Sequence, residues 1–245
     1  MKIAVIPARG GSKRIPKKNI KLFYGKPIIT YAIEAAFNSA VFDHVVVSTD
    51  DAEIAEVARK AGAEVPFVRP KELSDDHTPT VPVIGHAIDW MIGNRGAVGV
   101  VCCIYSTAPF VTADDIRQAY LRLVNEHVTG YVFTATSFPF PIQRAFRIRE
   151  DGHCEMFHPE HYNTRSQDLE DAYQDAGQFY WGSAESYLSN KKFFANDSKP
   201  YLIPRYRVQD IDTMQDWTRA EIMWRVLQEA QQLGGNMREQ EQTNG

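Results

Sequence analysis

Cysteine is scarce in this 245-residue chain, with three in all and two of them adjacent. Three cysteines make no disulfide framework. Cys102 and Cys103, side by side on one strand, point to opposite faces and are poor joint ligands for a metal. Long apolar runs are missing too: no stretch approaches the ~20 residues that a membrane-crossing helix needs. The stretch Met1–Pro7 is too short and too early broken to read as a signal peptide. Neither charge dominates, with 27 basic against 31 acidic residues and a net charge of −4, which argues against nucleic acid as the main partner. Two phosphate-binding fingerprints are absent, G-x-x-x-x-G-K-[ST] and G-x-G-x-x-G, as are C-x-x-C and H-E-x-x-H. The histidines and cysteine of 153-HCEMFHPEH-161 therefore read as polar loop residues rather than a zinc site. A protein of the reduced cytoplasm is expected, with no membrane partner.

What is present is concentrated in 1-MKIAVIPARGGSKRIPKKNI-20. Residues 2–6 are an apolar run rich in branched side chains, a buried strand that Pro7 ends. A loop follows, Ala8-Arg9-Gly10-Gly11-Ser12-Lys13-Arg14. Two adjacent glycines let its backbone N–H groups turn towards a ligand, and three cationic side chains add positive charge. A small polyanion such as a nucleoside triphosphate suits it, and so does a merely solvated basic turn.

Along the chain, Pro27 opens an amphipathic helix over 27–40 with Ile29, Ile33 and Phe37 on one face. Residues 43–48 form a strand, and Thr49-Asp50-Asp51 caps a second helix that Gly62 ends. Residues 64–68 make a third short strand, 81–93 a helix, and 98–104 the most apolar and hence central strand. Thr112 starts a helix through about 127, and 131–137 is another strand. Later come a strand at 178–182, a short helix at 184–189, a strand at 201–208 and a final helix over 214–233 capped by Thr213 and Asp216. Strands alternating with helices predict an α/β fold, a Rossmann-like and mostly parallel sheet flanked by helices, with its ligand beyond the carboxyl ends of the strands. The stretch 138–175 breaks the pattern: it is polar, with scattered aromatics, and reads as an extended excursion. The expected organisation is an α/β catalytic domain over 1–137 and 176–233, an arm over 138–175, and a polar tail over 234–245.

Asp210 and Asp212 stand at alternate positions of the expected strand end, so their carboxylates face one way. Helix-capping electrostatics would explain them. So would Mg²⁺, a hard cation that shares carboxylates with phosphate oxygens.

The string I-P-A-R-x-G-S-K-x-x-x-x-K-N, on which Arg9, Ser12, Lys13, Lys18 and Asn19 fall, resembles the nucleotide-binding signature of the cytidylyltransferases that activate nonulosonic acids, the nine-carbon sialic-type sugars. The resemblance runs from residue 1 to about 225 and looks closest to the pseudaminic acid branch. It implies nucleotide contacts from Ala8 through Lys13, Lys18 and Asn19. Through 69-RPKELSDDHTPT-80 it implies contacts of Arg69, Thr78 and Thr80 with a cytosine edge. It makes D-I-D-T the metal-binding motif, with Asp210 and Asp212 as ligands of Mg²⁺ or another divalent cation, and it gives Arg9 and Lys13 catalytic roles beside them. The stretch 165-RSQDLEDAYQDAGQFYW-181 resembles the family's sugar-binding segment, with Glu170 in place of a proline and Asp175-Ala176-Gly177-Gln178 in place of an asparagine-glycine pair. Arg165 then faces the sugar carboxylate, and Tyr105, Gln167, Tyr173, Asp175 and Gln178 line the sugar, with Phe138, Phe140, Phe179 and Tyr180 nearby. Tyr105 stands where sialic acid enzymes commonly carry glutamine. The family's arm exchanges with a second subunit, which implies a homodimer. The implied activity joins CTP to a nonulosonic acid, with pseudaminic acid first and N-acylneuraminic acid as the alternative. A catalytically inactive nucleotide-binding scaffold is the reading from a different class, and no side chain stands out as a general base.

Overall fold

The apolar N-terminal run becomes the interior of a six-stranded sheet. In the computed structural model, which describes the backbone of residues 1–243 and the side chains of residues 1–230, β1 (Lys2–Pro7) is the hub. The hairpin β2 (Leu22–Phe23) and β3 (Lys26–Pro27) follows the first loop. Pro27 thus belongs to a strand, and α1 (Ile29–Ser39) opens two residues later than expected. Next come β4 (His44–Ser48), α2 (Ala52–Lys60), α3 (Thr80–Arg95), β5 (Val100–Ile104), α4 (Ala113–Asn125) and β6 (Tyr131–Ser137). A small hairpin of β7 (Phe146–Ile148) and β8 (Cys154–Met156) leads to β9 (Tyr173–Ser183), α5 (Ala184–Leu188), β10 (Lys199–Leu202) and α6 (Met214–Thr243). The helix α6 continues past the expected end near residue 233. Asn244 and Gly245 of the expected tail lie outside the described residues.

The strand order is β10-β6-β9-β5-β1-β4. β1 runs parallel to β4 and β5, and β10 parallel to β6, while β9 is antiparallel to both its neighbours. Alternation along the strands supplies a core on each face. Ala4, Ile6, Cys102 and Trp181 pack under α1, α2 and α4; Ile3, Val5, Cys103 and Tyr180 pack under α3 and α5. Covering both faces is what near-continuous apolar strands require. A third cluster, with Ile15, Phe23, Tyr31, Phe110, Ile211 and Trp217, fastens the end of the first loop to the hairpin, α1 and α6.

Several sequence expectations are corrected. Residues 64–68 make a single bridge, Glu64 to Val46, because the chain leaves the sheet edge at once for the loop over α3. The strand expected over 201–208 ends at Leu202; Pro204, which has no N–H to give a ladder, starts a short 3-10 turn at Arg205–Arg207. Asp210 and Asp212 are consequently in an irregular segment, not a strand. Phe37 is 47% exposed rather than on the inner face of α1, where Ala32, Ala35 and Ala36 pack instead. The excursion after β6 is almost wholly exposed until β9 re-enters the sheet at Tyr173, where Tyr173, Gln174 and Asp175 pair with Ser137, Thr136 and Ala135.

One glycine is required by packing rather than by a turn. A Cβ on Gly182, paired with Tyr131, would lie 2.7 Å from two atoms of the Tyr131 ring. Gly182→Ala should lower unfolding stability by about 1–3 kcal/mol in urea titrations, the usual cost of overpacking a filled core. Gly99→Ala, whose nearest atom would be 3.8 Å away, should cost much less; equal shifts would show that the Tyr131 contact does not set the limit.

Candidate active site

The first loop lies at the carboxyl end of β1, pinned from two sides. On one side its backbone touches the end of β4: Gly10 N–H donates to Asp50 Oδ1 at 3.0 Å. A Cβ on Gly10 would fall 2.7 Å from Asp51 Oδ2, whereas one on Gly11 would meet nothing within 4 Å. Only the first of the two glycines is therefore demanded by close approach. On the other side, Asn19 Nδ2 donates to the Arg9 carbonyl at 2.8 Å while its Oδ1 accepts from Ser106 at 2.8 Å. Asn19 is thus a buried brace between the loop and the end of β5.

The loop's cations converge on carboxylates. Arg9 and Lys13 both reach Asp76, and Arg14 reaches Asp212 at 2.9 Å. Lys18 Nζ donates to the Ile211 carbonyl at 2.6 Å and lies 3.5 Å from Asp212. These pairs surround a cleft of about 510 Å³ lined by Arg9, Ser12, Lys13, Lys18, Arg69 and Asp212, among others.

Arg69 comes to the same cleft from the segment after α2. It is 4% exposed, its Nε donates to Ser74 Oγ at 3.1 Å, and its Nη2 approaches Asp50 at 3.5 Å without forming a hydrogen bond. Burial lowers its pKa, and the Asp50 carboxylate partly opposes that shift. A buried guanidinium nitrogen without a hydrogen-bond partner is costly unless a ligand completes it. Thr78 and Thr80 also line the cleft. Thr78 Oγ1 spends its proton within the loop, on Asp75 Oδ1 at 2.7 Å, whereas Thr80 Oγ1 is 3.0 Å from the Tyr105 hydroxyl. Burial pushes the Tyr105 phenol up to about 12, so it stays neutral and can donate to a ligand.

The acidic segment closes one end. Ile211 is fully buried in the third core cluster, which directs its neighbours Asp210 and Asp212 outwards despite the absence of a strand. Surrounding protein removes part of the water from the Asp210 carboxyl, and the Asp212 charge adds to this, so its pKa is raised even though the residue surface is exposed. Asp212 lines the cleft; Asp210 lies beside it, beyond the lining residues. Thr213 and Asp216 cap α6 reciprocally, with the Thr213 N–H donating to Asp216 at 2.8 Å and the Asp216 N–H to Thr213 at 3.3 Å. Helix capping therefore has its own residues and does not account for Asp210 or Asp212.

The expected sugar residues do not come together as a group. Tyr105 lines the cleft. Asp175 accepts from the Tyr180 hydroxyl, whose ring packs on Tyr105 at 5.4 Å between centroids. Gln178 is buried and donates to the Arg207 carbonyl at 2.6 Å. Arg165 and Gln167 stand exposed on the excursion, with Tyr173 exposed where it rejoins the sheet, and none of the three lines the cleft of its own chain. Phe179 is fully buried in the core on the α4 side, so it cannot face a sugar, and Phe140 is 80% exposed. Sequence reasoning missed Asp50, Asp76 and Ser106. Asp50 had a signal: three polar residues end β4, and Asp51 alone caps α2, leaving Asp50 unexplained.

The family profile described as Cytidylyltransferase matches residues 3–240. The chain is 47% identical to the pseudaminic acid cytidylyltransferase of Campylobacter jejuni (serotype O:2) over 93% of this chain and 98% of that protein. It is 28% identical to the N-acylneuraminate cytidylyltransferase of Escherichia coli O18:K1:H7, over 89% of this chain and 51% of that one. The solved structure of a CMP:2-keto-3-deoxy-manno-octonic acid synthetase complexed with CTP superposes with a TM-score of 0.66 at 14% identity, covering 93% of this chain and 99% of that one. At that identity the likeness speaks for the fold alone.

The raised Asp210 pKa has a consequence for stability. The native state holds this proton more tightly than the unfolded chain, so the ionised carboxylate detracts from stability at neutral pH, and the loss fades as pH falls through the raised value. Without metal, Asp210→Asn should therefore unfold at a higher temperature than wild type at pH 7.5, with the gain shrinking towards pH 4. The gain should stay under about 1 kcal/mol, because the residue is solvent-exposed. A lower unfolding temperature at pH 7.5 would contradict the cost of keeping that carboxylate charged.

Proposed function

The chain belongs to the cytidylyltransferase family, and on that premise we propose that it joins CTP to pseudaminic acid, giving CMP-pseudaminic acid and pyrophosphate. It is a nucleotidyltransferase, and the proposal concerns its sugar, its metal and its site. The observation that carries the nucleotide assignment is the buried Arg69, whose Nη2 lacks a hydrogen-bond partner and whose side chain lines one cleft with the cationic first loop. One end of the cleft suits a base edge and the other a triphosphate. Thr80 and Tyr105 supply neutral hydroxyls beside Arg69, a set that can match the amino and carbonyl pattern of cytosine.

Asp210 and Asp212 fit a divalent cation by the chemistry of their donors. Two outward carboxylates are too few for a complete protein shell, and no larger cluster of His, Cys, Asp or Glu is gathered among the described residues. An ion held by one or two carboxylates and completed by phosphate oxygens and water is the mode that Mg²⁺ favours. Bound there, Mg²⁺ would offset the charge of the triphosphate oxygens. The chain's own groups do the rest. Arg9 and Lys13, released from Asp76 when phosphate arrives, orient the triphosphate and offset the charge that grows on the departing pyrophosphate. The anomeric hydroxyl of the sugar attacks the α-phosphorus in line with that leaving group. Of the expected sugar residues, Tyr105, which lines the cleft, and Asp175, linked to it through Tyr180, are the proposed sugar-side residues of the same chain. Arg165 is proposed to hold the sugar carboxylate as a bidentate fork, and its distance from its own cleft fits a homodimer in which the 138–175 arm crosses to a partner. No described helix is long and apolar enough to cross a membrane, and the proposed setting is the cytoplasm.

Pseudaminic acid is preferred to N-acylneuraminic acid because the greater likeness is to the pseudaminic acid enzyme, at 47% against 28% identity. The scaffold reading is disfavoured because the basic loop and the acidic pair are both intact. Competition between the two sugars in one reaction with CTP tests the proposal: pseudaminic acid should be converted at least about tenfold faster, the scale set by one mismatched hydrogen bond in a buried polar site. Equal or greater conversion of N-acetylneuraminic acid would move the enzyme to the sialic branch, and no pyrophosphate release with any sugar would favour the scaffold.

Asp212→Asn should lower kcat at saturating Mg²⁺ by on the order of a hundredfold, about 3 kcal/mol of transition-state stabilisation, while the protein stays folded. Near wild-type turnover by a folded variant would remove Asp212 from the metal set.

A further inference from the structure

The segment that carries Asp210 and Asp212 has no strand or helix of its own between Leu202 and Met214, apart from the short turn at Arg205–Arg207. Its course is set by a few tethers. At its start, Ile203 N–H donates to the Ala135 carbonyl at 2.9 Å, and Thr136 Oγ1 donates to the Ile203 carbonyl at 2.9 Å. At its end, Ile211 is buried and its carbonyl accepts from Lys18. Between them stands one strong anchor, Arg207.

Arg207 Nη1 lies 2.9 Å from Asp115 Oδ2, and Arg207 Nη2 donates to Asp115 Oδ1 at 3.0 Å, a two-pronged pair that is mostly buried, with side-chain exposures of 20% and 10%. The remaining acceptor capacity of Asp115 is used by the Thr112 hydroxyl at 2.5 Å and the Tyr201 hydroxyl at 3.4 Å. The Arg207 carbonyl in turn accepts from Gln178 Nε2 at 2.6 Å. Both ends of Arg207 are thus fixed, the side chain on the first turn of α4 and the backbone on β9.

A buried ion pair is a weak source of net stability, because removing two charges from water costs about what their attraction returns. What it supplies is geometry, since a planar guanidinium accepts a carboxylate in one orientation. Arg207 is three residues from Asp210 and five from Asp212. We propose that Asp115 and Arg207 are positioning residues for the transfer reaction: their fork holds the irregular segment so that Asp210 and Asp212 face the first loop at a fixed separation. The inference rests on the reading of those two carboxylates as holders of a divalent cation. It makes Asp115 and Arg207 the outer support of that site, although neither lines the cleft.

The test uses the full-length protein with Arg207→Lys, which keeps the charge and loses the fork, and Asp115→Asn, which keeps the Thr112 and Tyr201 neighbours. Asp212→Asn is run beside them, with Arg205→Ala as the control, an exposed arginine of the same segment whose hydrogen bond, to the Phe138 carbonyl at 3.3 Å, does not involve Asp115. Three quantities are read: Mn²⁺ binding in the presence of CTP, from the EPR signal of the free ion; the Mg²⁺ concentration that half-saturates turnover; and KM for CTP extrapolated to saturating Mg²⁺. Loss of an outer support typically weakens metal affinity about 10- to 100-fold. Arg207→Lys and Asp115→Asn should therefore raise the half-saturating Mg²⁺ about tenfold or more and weaken Mn²⁺ binding in step, with KM for CTP within about twofold of wild type. Arg205→Ala should move neither. A purely structural role would lower the folded fraction without moving the metal dependence of the folded molecules. If Asp212→Asn shifts the metal dependence and neither folded Arg207→Lys nor folded Asp115→Asn does, the positioning role is overturned. If Asp212→Asn does not shift it either, the metal reading beneath the proposal falls.

Discussion

The contact between Gly10 and the end of β4 is the constraint on which the cleft depends. The Gly10 N–H donates to Asp50, and the Asp51 carboxylate occupies the space where a Cβ would stand. Asp50 also faces the buried Arg69 at 3.5 Å. One carboxylate therefore sits between the loop that carries the cations and the segment that carries Arg69. The parallel pairing of β1 with β4, register Ile3 to His44 through Pro7 to Ser48, brings both loops out at the same level. Neighbouring parallel strands end on one side of a sheet, so their loops meet there without further design. Shifting β4 by one residue would exchange its inner and outer faces and carry Asp50 away from Gly10.

Around that node the chain arranges its charges in two classes. Arg9 and Lys13 on Asp76, and Arg14 on Asp212, are pairs with at least one solvent-exposed partner. Exposed pairs of this kind contribute little to stability, so on the proposed reading an incoming triphosphate can replace the protein carboxylates. They keep the cations pointing into the cleft while it waits for a ligand.

Much of the fold was legible because the governing signals are local. Branched apolar runs gave β1, β4, β5 and β6. Asp51 and Thr112 announced the starts of α2 and α4, and both side chains do accept helix N–H bonds. The first loop and the acidic pair were legible because glycine, cation and carboxylate are chemically distinctive. What escaped was non-local. That β9 inserts antiparallel between β5 and β6 cannot be read from its own alternation, which is the same in either direction. The failed strand over 201–208 shows tertiary context overriding propensity: β-branched and aromatic residues favour extension there, but Pro204 and the pull of Asp115 on Arg207 turn the chain away. Phe179 was assigned to a sugar wall from its neighbours in sequence, but strand alternation puts it on the face opposite Tyr180, in the core under α4. Asp76 was hidden because one aspartate in an acidic loop looks like any other until Arg9 and Lys13 are seen to meet on it.

The second class of charges is the buried fork of Arg207 and Asp115, and the contrast explains why the chain keeps both. An exposed pair can open within a catalytic cycle because water stands ready to take over its hydrogen bonds. A pair buried to the extent of Arg207 and Asp115 cannot, since opening it would leave two charges in a place water reaches poorly. The site needs a group of each kind. On the proposed reading Arg9 and Lys13 change partners when phosphate binds, and their exposed pairs with Asp76 can exchange. Burial first and the Asp212 charge second raise the Asp210 pKa, so the two carboxylates repel each other, and a flexible segment would let them move apart. Holding two like charges together requires a tether stronger than their repulsion and anchored outside the cleft. The Arg207 fork meets both conditions, since its partner belongs to α4 and its carbonyl is fixed to β9.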